Sequence, residues 1–237
     1  MKKILALSVV AAMFATSMFA FSFVGAGARA GMNFGAGTTL AKDYEDMAKG
    51  ISDSNKGGNI GFGLGGYALF DLFKLDFGTI YLQPEVLLNF NNGYKIKESG
   101  AEIKLYSHTI DLPVLATIEV PIADRFEVGG GLGFQISLPI KVDGKISYPY
   151  FGSYDLSDGD GIDKITSKPT FGMLIDANGK MFFGSKKKKN IALVVDLRYN
   201  LDFVATKFNF KSGNTTTTVK AFTRRALSLT AGAEYRF

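Results

Sequence analysis

The 237-residue chain contains no cysteine, no tryptophan and one histidine, and only 6 of its residues are proline. The missing cysteines exclude disulfide scaffolds, thiolate zinc sites, iron–sulfur clusters and thiol nucleophiles, and a single histidine leaves no pair to bind zinc. No central run of about eighteen apolar residues occurs, which excludes a polytopic helical membrane protein. Scarce proline and 46% apolar residues exclude a collagen-like or largely disordered chain.

Positive charge is in excess, yet its distribution does not make a basic binding face. The chain has 27 Lys and Arg against 22 Asp and Glu, a net charge of +5. Lys2 and Lys3 lie in a segment that we expect to be removed, and four lysines form the run 186–189. The remainder is slightly acidic, so we predict no nucleic-acid partner. The lysine run is interpreted as a solvated turn, with contact to anionic headgroups as the alternative.

The N-terminus has the pattern of an export signal. Two lysines precede a mostly apolar stretch over 4–24, followed by small residues, as in a secretory signal peptide. We predict a signal peptide over 1–22, cleaved after Ser22, with cleavage after Ala28 as the second option. An uncleaved membrane anchor is the alternative interpretation of this stretch.

Alternation of apolar and polar residues dominates the chain after residue 22, and helical periodicity is nearly absent. An even number of alternating segments about ten residues long is typical of outer-membrane barrels. The eight predicted strands are 23–35, 60–70, 79–90, 109–120, 126–138, 170–182, 191–203 and 227–237.

The connections between these strands alternate in length. Short connections are predicted at 72–78, 121–125 and 183–190, and long polar ones at 36–58, 91–102, 141–168 and 204–220. Short periplasmic turns, long extracellular loops and periplasmic termini are typical of transmembrane barrels. We therefore predict an all-β fold over 23–237: an eight-stranded, antiparallel, up-and-down transmembrane β-barrel located in the bacterial outer membrane.

The two faces of the predicted strands differ in chemistry. One is almost wholly aliphatic or aromatic, whereas the other carries Glu, Asp, Arg and many Gly. A lipid solvent demands an apolar exterior, so the polar face is assigned to the interior. The alternative is a soluble lipocalin-like barrel with the opposite facing. It would expose a continuous apolar belt, which soluble chains rarely do.

Charged residues on the inner face are predicted to pair, because unpaired buried charges are highly costly. Such a network either plugs the lumen or, if a gap remains, lines a narrow charged pore. Arg29 and Lys180 are further cations that can join it. The predicted lumen network consists of Glu85, Glu119, Glu127, Asp196, Arg198, Glu234 and Arg236.

Three segments resemble the PorT-type outer-membrane β-barrel family. These are the glycine-rich opening strand at 24–34, Leu-Gln-Pro-Glu-Val-Leu-Leu at 82–88, and Ile-Asp-Leu-Pro-Val-Leu at 110–115. In layout the resemblance spans 24–237. It implies a fold and a location but almost no mechanism, since fold does not determine function. The OmpX- and OmpW-like eight-stranded barrels are similar in architecture, with weaker local matches.

The C-terminal Ala-Glu-Tyr-Arg-Phe at 233–237 resembles the signal that the outer-membrane assembly machinery reads. Its last residue, Phe237, is aromatic, and Tyr235 continues the hydrophobic alternation before it. The resemblance implies that the assembly machinery is a partner of the chain, together with outer-membrane lipid.

Three other motifs suggest chemistry but lack the context for it. Gly61, Gly63 and Gly66 match a dinucleotide fingerprint, but period-two alternation continues after them. An acidic, glycine-punctuated loop around 155–163 lacks the spacing of a calcium loop. His108 cannot meet the adjacent Ser107, because neighbours on a strand face opposite ways. We predict no metal, no cofactor and no enzymatic activity.

The predicted function is structural or in surface interaction, performed by a monomer through four extracellular loops. Candidate contacts for an extracellular ligand or a host or matrix partner are aromatic residues of the longest loop, which can equally stabilise the barrel rim. They are Tyr148, Tyr150, Phe151 and Tyr154. The alternative function is a narrow channel or conduit for small or hydrophobic solutes.

Overall fold

The computed structural model describes residues 22–35, 37–41, 56–98, 100–148, 150, 152–155, 164–185 and 188–237. Apart from Ser22, the predicted signal peptide lies outside the described residues, as does Phe151. The signal peptide and its cleavage site therefore stay predictions. Within the described residues, no helix is long and apolar enough to cross a membrane.

Fourteen strands occur in the described part of the chain, eight long and six short. In chain order they are β1 Ser22–Phe34, β2 Thr39–Leu40, β3 Lys56–Gly58, β4 Ile60–Leu75, β5 Gly78–Glu98, β6 Ala101–Ala123, β7 Phe126–Tyr148, β8 Gly152–Asp155, β9 Lys164–Thr166, β10 Thr170–Ser185, β11 Lys188–Asp202, β12 Thr206–Ser212, β13 Thr215–Thr223 and β14 Arg225–Arg236.

The eight long strands close into one antiparallel barrel. Their order is β10-β11-β14-β1-β4-β5-β6-β7, and β7 pairs with β10 to complete the ring. Because the ring is closed, the edges of the barrel strands are paired with each other. The backbone N–H and C=O groups then need no hydrogen bonds from water, as a sheet that spans a membrane requires. The predicted fold class is confirmed.

Side chains alternate between the outside and the lumen along each barrel strand. In β4, Ile60, Phe62 and Leu64 are 52%, 45% and 41% exposed, whereas Tyr67 is buried. Comparable exposed aliphatic and aromatic residues continue around the barrel and form an apolar belt. The belt suits a lipid solvent, and the facing is the reverse of what a soluble lipocalin-like barrel requires.

Short connections lie at one end of the barrel, which we call the turn end. Residues 76–77 join β4 to β5, and residues 124–125 join β6 to β7. The start of β1 and the end of β14 also lie there, since Gly25 pairs with Arg236. The opposite end is the loop end.

At the loop end the strands are longer than predicted. The predicted loop 91–102 is mostly a hairpin of β5 and β6, and β7 covers the first part of the predicted loop 141–168. A bulge near Asn91, whose φ is 60°, inserts one residue into β5. Inward-facing residues are odd-numbered up to Asn89 and even-numbered from Asn92. Because of this shift, the inward-facing residues of β5 no longer follow one parity along the whole strand, although the hydrogen-bonded pairing with β6 continues.

A second sheet lies at the loop end, where the sequence predicted polar loops over 36–58, 141–168 and 204–220. This cap sheet has the strand order β2-β13-β12-β9, with β12 and β13 joined at residues 213–214. It packs against the extended parts of β5, β6 and β7. We call the cap sheet and these strand extensions together the cap.

Candidate functional site

The middle of the lumen is occupied by five interlocked charged side chains, which we call the middle tier. Arg198 donates to Glu85 at 2.7 and 2.9 Å and to Asp176 at 2.8 Å. Arg29 lies 3.4 Å from Glu85 and 3.1 Å from Asp196. All five side chains are buried. The bidentate Arg198–Glu85 pair links opposite walls of the barrel and is among the strongest hydrogen-bonded arrangements of charges.

A second cluster, the turn-end tier, lies closer to the short connections. Lys180 donates to Glu119 and, at 2.5 Å, to Glu234. Arg236 bridges Glu119, Glu127 at 3.0 Å and Glu234 at 2.7 Å. These five side chains come from β6, β7, β10 and β14, so the tier ties both halves of the ring together.

A third cluster, the loop-end tier, lies directly beneath the cap. Arg224 donates to Asp111 at 2.9 Å, to Asp202 at 3.2 Å and to Ser137 at 2.8 Å. Asn89 adds a hydrogen bond to Asp111 at 2.9 Å. Arg224 thus pairs two carboxylates at the loop end of the lumen.

Each tier contains one carboxylate more than it contains cations. Neutral donors add hydrogen bonds to these carboxylates, as buried charges require. The Tyr67 hydroxyl donates to Glu234 at 2.8 Å, and the Arg29 guanidinium lies 4.1 Å from the centre of the same ring. Further neutral donors to tier carboxylates are Gln83, Asn89, Thr170, Asn178 and Thr230.

Two small cavities lie in the lumen among the described residues. A cavity of about 30 Å³ lies between the middle and loop-end tiers, bordered by Arg29, Asp111 and Arg224. A second cavity, of about 10 Å³, lies beside Asp202 and Phe222 under the cap. Such volumes suit isolated water molecules. Buried polar atoms of Asp111 and Arg224 that have no protein partner can use such water.

All seven residues predicted for the lumen network lie in the first two tiers, together with Arg29 and Lys180. Sequence reasoning missed Asp176 and the whole loop-end tier. Asp176 is directly opposite Arg198 on the neighbouring strand, so correct strand pairing would have found it. Arg224 precedes β14 in a segment without alternation, and no sequence pattern marks it as a lumen residue. The function of these residues stays a prediction.

The cap has an apolar core, in contrast to the charged interior of the barrel. Phe208 and Phe222 of the cap sheet are fully buried against Tyr94, Leu105 and Val142 of the strand extensions. The two phenylalanine rings meet edge to face, with centroids 6.3 Å apart, an arrangement that aromatic pairs favour. The cap is therefore a small folded unit with an apolar interior.

The other predicted residues lie on surfaces. Tyr148, Tyr150 and Tyr154 are exposed at the loop end, with Tyr150 92% exposed, and Phe151 is outside the described residues. Tyr235 and Phe237 face outward at the turn end, with ring centroids 5.2 Å apart. Loop contact and assembly recognition stay predictions for these residues.

His108 is held by contacts with neighbouring residues of β5 and β6. Its Nδ1 accepts a hydrogen bond from the Asn91 backbone N–H at 3.1 Å, and its ring contacts those of Phe90 and Tyr106. Ser107 faces the other side of the strand and donates to the Asn92 carbonyl. Among the described residues, no group of three or more His, Asp or Glu side chains is arranged to hold a metal ion.

Comparison with protein-family models and with curated protein sequences finds no match. Solved structures do match. The outer membrane protein OprG from Pseudomonas aeruginosa has a TM-score of 0.50 and 12% identity, covering 91% of this chain and 97% of that one. Neisserial surface protein A has a TM-score of 0.43 and 13% identity, covering 91% and 97%. AlkL in DMPC lipid bilayers has a TM-score of 0.44 and 12% identity, covering 91% and 90%. The likeness to OprG agrees with an eight-stranded barrel of the outer-membrane type.

Proposed function

We propose that the chain is an integral outer-membrane β-barrel with a plugged lumen and a structural or surface-interaction role. In this proposal the turn end faces the periplasm and the cap faces the cell exterior. No catalysis and no cofactor enter it. Membership of the PorT-type family is part of the proposal and rests on the segments 24–34, 82–88 and 110–115.

The observation that carries the proposal is the filling of the lumen. An eight-stranded barrel has an interior just wide enough for side chains. Three successive tiers of paired charges occupy it. A cavity of about 30 Å³ lies between the middle and loop-end tiers, and one of about 10 Å³ lies under the cap. A conducting path needs continuous space for a solvated ion, which these tiers interrupt.

The cap supports a role at the surface. A sheet with its own buried core presents a defined shape to the exterior, which suits recognition better than unstructured loops do. Exposed Tyr148, Tyr150 and Tyr154 lie beside it, and tyrosine is enriched in contact surfaces. We propose that these residues, with Phe151, contact an extracellular ligand or a host or matrix partner.

Conductance of refolded protein in planar bilayers tests the plugged lumen, with heat-modifiable gel mobility as the folding control. We expect no discrete openings from the wild type. The Glu85→Ala/Arg198→Ala variant, verified as folded by the same gel assay, loses only the bidentate pair of the middle tier and is expected to stay closed, because the turn-end and loop-end tiers still occupy the lumen. Reproducible openings from the wild type would overturn the proposal.

A lateral conduit for hydrophobic solutes is the second candidate, favoured by a break between β4 and β5. Their paired residues stop at Tyr67–Glu85 and resume at Phe70–Leu82. Pro84 lies in this interval and has no N–H to donate. A notch of about 410 Å³ opens there, bordered by the small residues Gly66 and Ala68.

Pro84→Ala introduces a backbone N–H that can donate a hydrogen bond to β4, and it therefore tests the conduit. If solutes pass through the notch, uptake of a hydrophobic probe into vesicles should fall several-fold in this variant. Pro113→Ala, in the neighbouring strand β6, is the matched control and should leave uptake unchanged. Equal uptake with and without the wild-type protein would exclude the conduit.

A further inference from the structure

Three lysines stand side by side on the outer surface of the cap, in what we call the lysine row. Lys95 of β5 is directly opposite Lys104 of β6, and Lys104 is directly opposite Lys145 of β7. Neighbouring strands are about 4.8 Å apart, so the row spans about 10 Å. Like charges directly opposite each other are destabilising, and an anion placed over them would relieve that repulsion.

The row lies on the face of the sheet that becomes the lipid-facing surface. Along β6, Lys104, Tyr106, His108, Ile110 and Leu112 share the outward parity, while the residues between them face inward. The surface therefore changes from aliphatic to aromatic to cationic within about eight residues, or about 27 Å along the strand. Aromatic residues mark the interfacial level of a membrane, which places the lysine row just beyond it.

Local carboxylates do not balance this surface. Glu102 lies 2.6 Å from Lys104 and 3.0 Å from Lys97, and the hydrogen bond from Lys104 lowers the pKa of Glu102. Asp143 pairs with Lys141, and Asp155 is directly opposite Lys145. From the level of His108 to the tips of the strands, the described charged side chains of this face thus comprise five lysines and three carboxylates. Lys95 has no ion-pair partner among the described residues.

We propose that the lysine row binds the phosphate groups of a glycolipid in the outer leaflet, with the acyl chains of that lipid lying against the apolar belt below. The proposal rests on the outer-membrane location proposed above. A lipid is favoured over a soluble polyanion because the cationic row continues the lipid-facing surface, and the acyl chains and the headgroup can be bound together. Each lysine near an anionic surface adds attraction that falls off within a Debye length.

The test is the affinity of folded, detergent-solubilised protein for diphosphorylated lipid A and for the same lipid after dephosphorylation, measured by native mass spectrometry. The wild type is expected to bind the phosphorylated form at least about tenfold more tightly. Lys95→Gln/Lys104→Gln/Lys145→Gln should abolish this preference. Lys164→Gln/Lys207→Gln/Lys211→Gln, which removes three lysines from the cap sheet, is the matched control and should keep it.

A stability measurement separates binding from a merely structural role. In phosphatidylcholine vesicles, the row variant should unfold at about the same temperature as the wild type, because removal of the opposed like charges offsets the loss of the Lys104–Glu102 pair. In vesicles that also contain phosphorylated lipid A, the variant should unfold at a lower temperature than the wild type. A lower unfolding temperature of the variant in both lipids would overturn the proposal in favour of a structural role.

Two further outcomes keep the proposals distinct. Equal affinity for the two forms of lipid A, with row-dependent binding of heparin as a soluble polyanion, would overturn the lipid assignment. Heat-modifiable gel mobility is measured on the same samples. Failure of the wild type to fold in vesicles would overturn the proposed membrane location, whereas a folded barrel without phosphate preference would overturn only the lysine row.

Discussion

The lumen of the barrel and the interior of the cap are two cores with opposite chemistry in one chain. The lumen is filled by charged and amide side chains, with Arg198 and Glu85 at its centre. The cap buries Phe208 and Phe222 and turns its lysines outward. The same alternating strands supply both, since β5, β6 and β7 pass from one region into the other.

The contrast between the two cores teaches that the surroundings of the sheet decide which face is apolar. In the proposed membrane location, lipid covers the outer face along the belt, and backbone pairing around the ring leaves the interior free to be polar. Beyond the belt the outer face meets water, and burial of apolar side chains again stabilises the fold. Substitutions in either core should therefore act on that core alone, with effects that range from several kcal/mol to a few tenths.

The largest effect is expected from Arg198→Leu. The substitution leaves Glu85 and Asp176 buried without their main partner, and breaking such a pair costs about 3–5 kcal/mol. Urea unfolding of the protein in lipid vesicles, followed by gel mobility, measures the loss. Arg225→Leu, at an exposed arginine, is the matched control and should change stability by less than about 0.5 kcal/mol. Equal stability of both variants would show that the tiers do not stabilise the barrel.

Phe222→Ala is expected to weaken the cap alone, by about 3 kcal/mol for loss of a large buried ring. Trypsin should then cleave at Lys207, Lys211 or Lys220 while the barrel keeps its folded gel mobility. Phe210→Ala, at a partly buried ring, should have a smaller effect. Loss of the folded barrel in Phe222→Ala would contradict independent cores.

Gly27→Ala is expected to destabilise the barrel by about 2 kcal/mol through overpacking. Gly27 faces Tyr67 across β1 and β4, and a Cβ there would clash with the tyrosine ring and displace its hydroxyl from Glu234. Gly179→Ala is the matched control, since a Cβ at Gly179 meets no atom within 4 Å. The unfolding free energies of the two variants check this, and similar values would contradict it.

The smallest effect concerns Glu102 on the cap surface. The hydrogen bond from Lys104 lowers the pKa of Glu102 from its usual 4.5, so the ionised form stabilises the folded state. This contribution is present above the usual glutamate pKa and is lost as pH falls through the lowered value. Glu102→Gln should therefore cost at most about 0.5 kcal/mol at neutral pH and nothing in acid. A difference in the free energy of cap unfolding between the wild type and Glu102→Gln that stays the same at all pH values would contradict this role of Glu102.

Sequence alternation could predict the barrel because the same alternation of apolar outer and polar inner residues recurs on the barrel strands. It placed Glu85, Arg198 and Glu234 in the lumen for the same reason. It could not predict the cap, because the bulge near Asn91 shifts the parity of β5 and the cap strands β2 and β9 are only two and three residues long. The sequence did not identify Arg224 as a lumen residue either. Arg224 lies between β13 of the cap and β14 of the barrel, where the alternation of the barrel strands has not yet begun.

The most direct test of two independent cores is hydrogen–deuterium exchange of the folded protein in lipid, followed by mass spectrometry. In the wild type, peptides of the barrel strands should exchange most slowly and those of β12 and β13 faster. Phe222→Ala should accelerate exchange in the cap only, and Arg198→Leu mainly in the barrel. If either substitution accelerated exchange in both regions equally, the barrel and the cap would share one cooperative core, which contradicts the independence of the two.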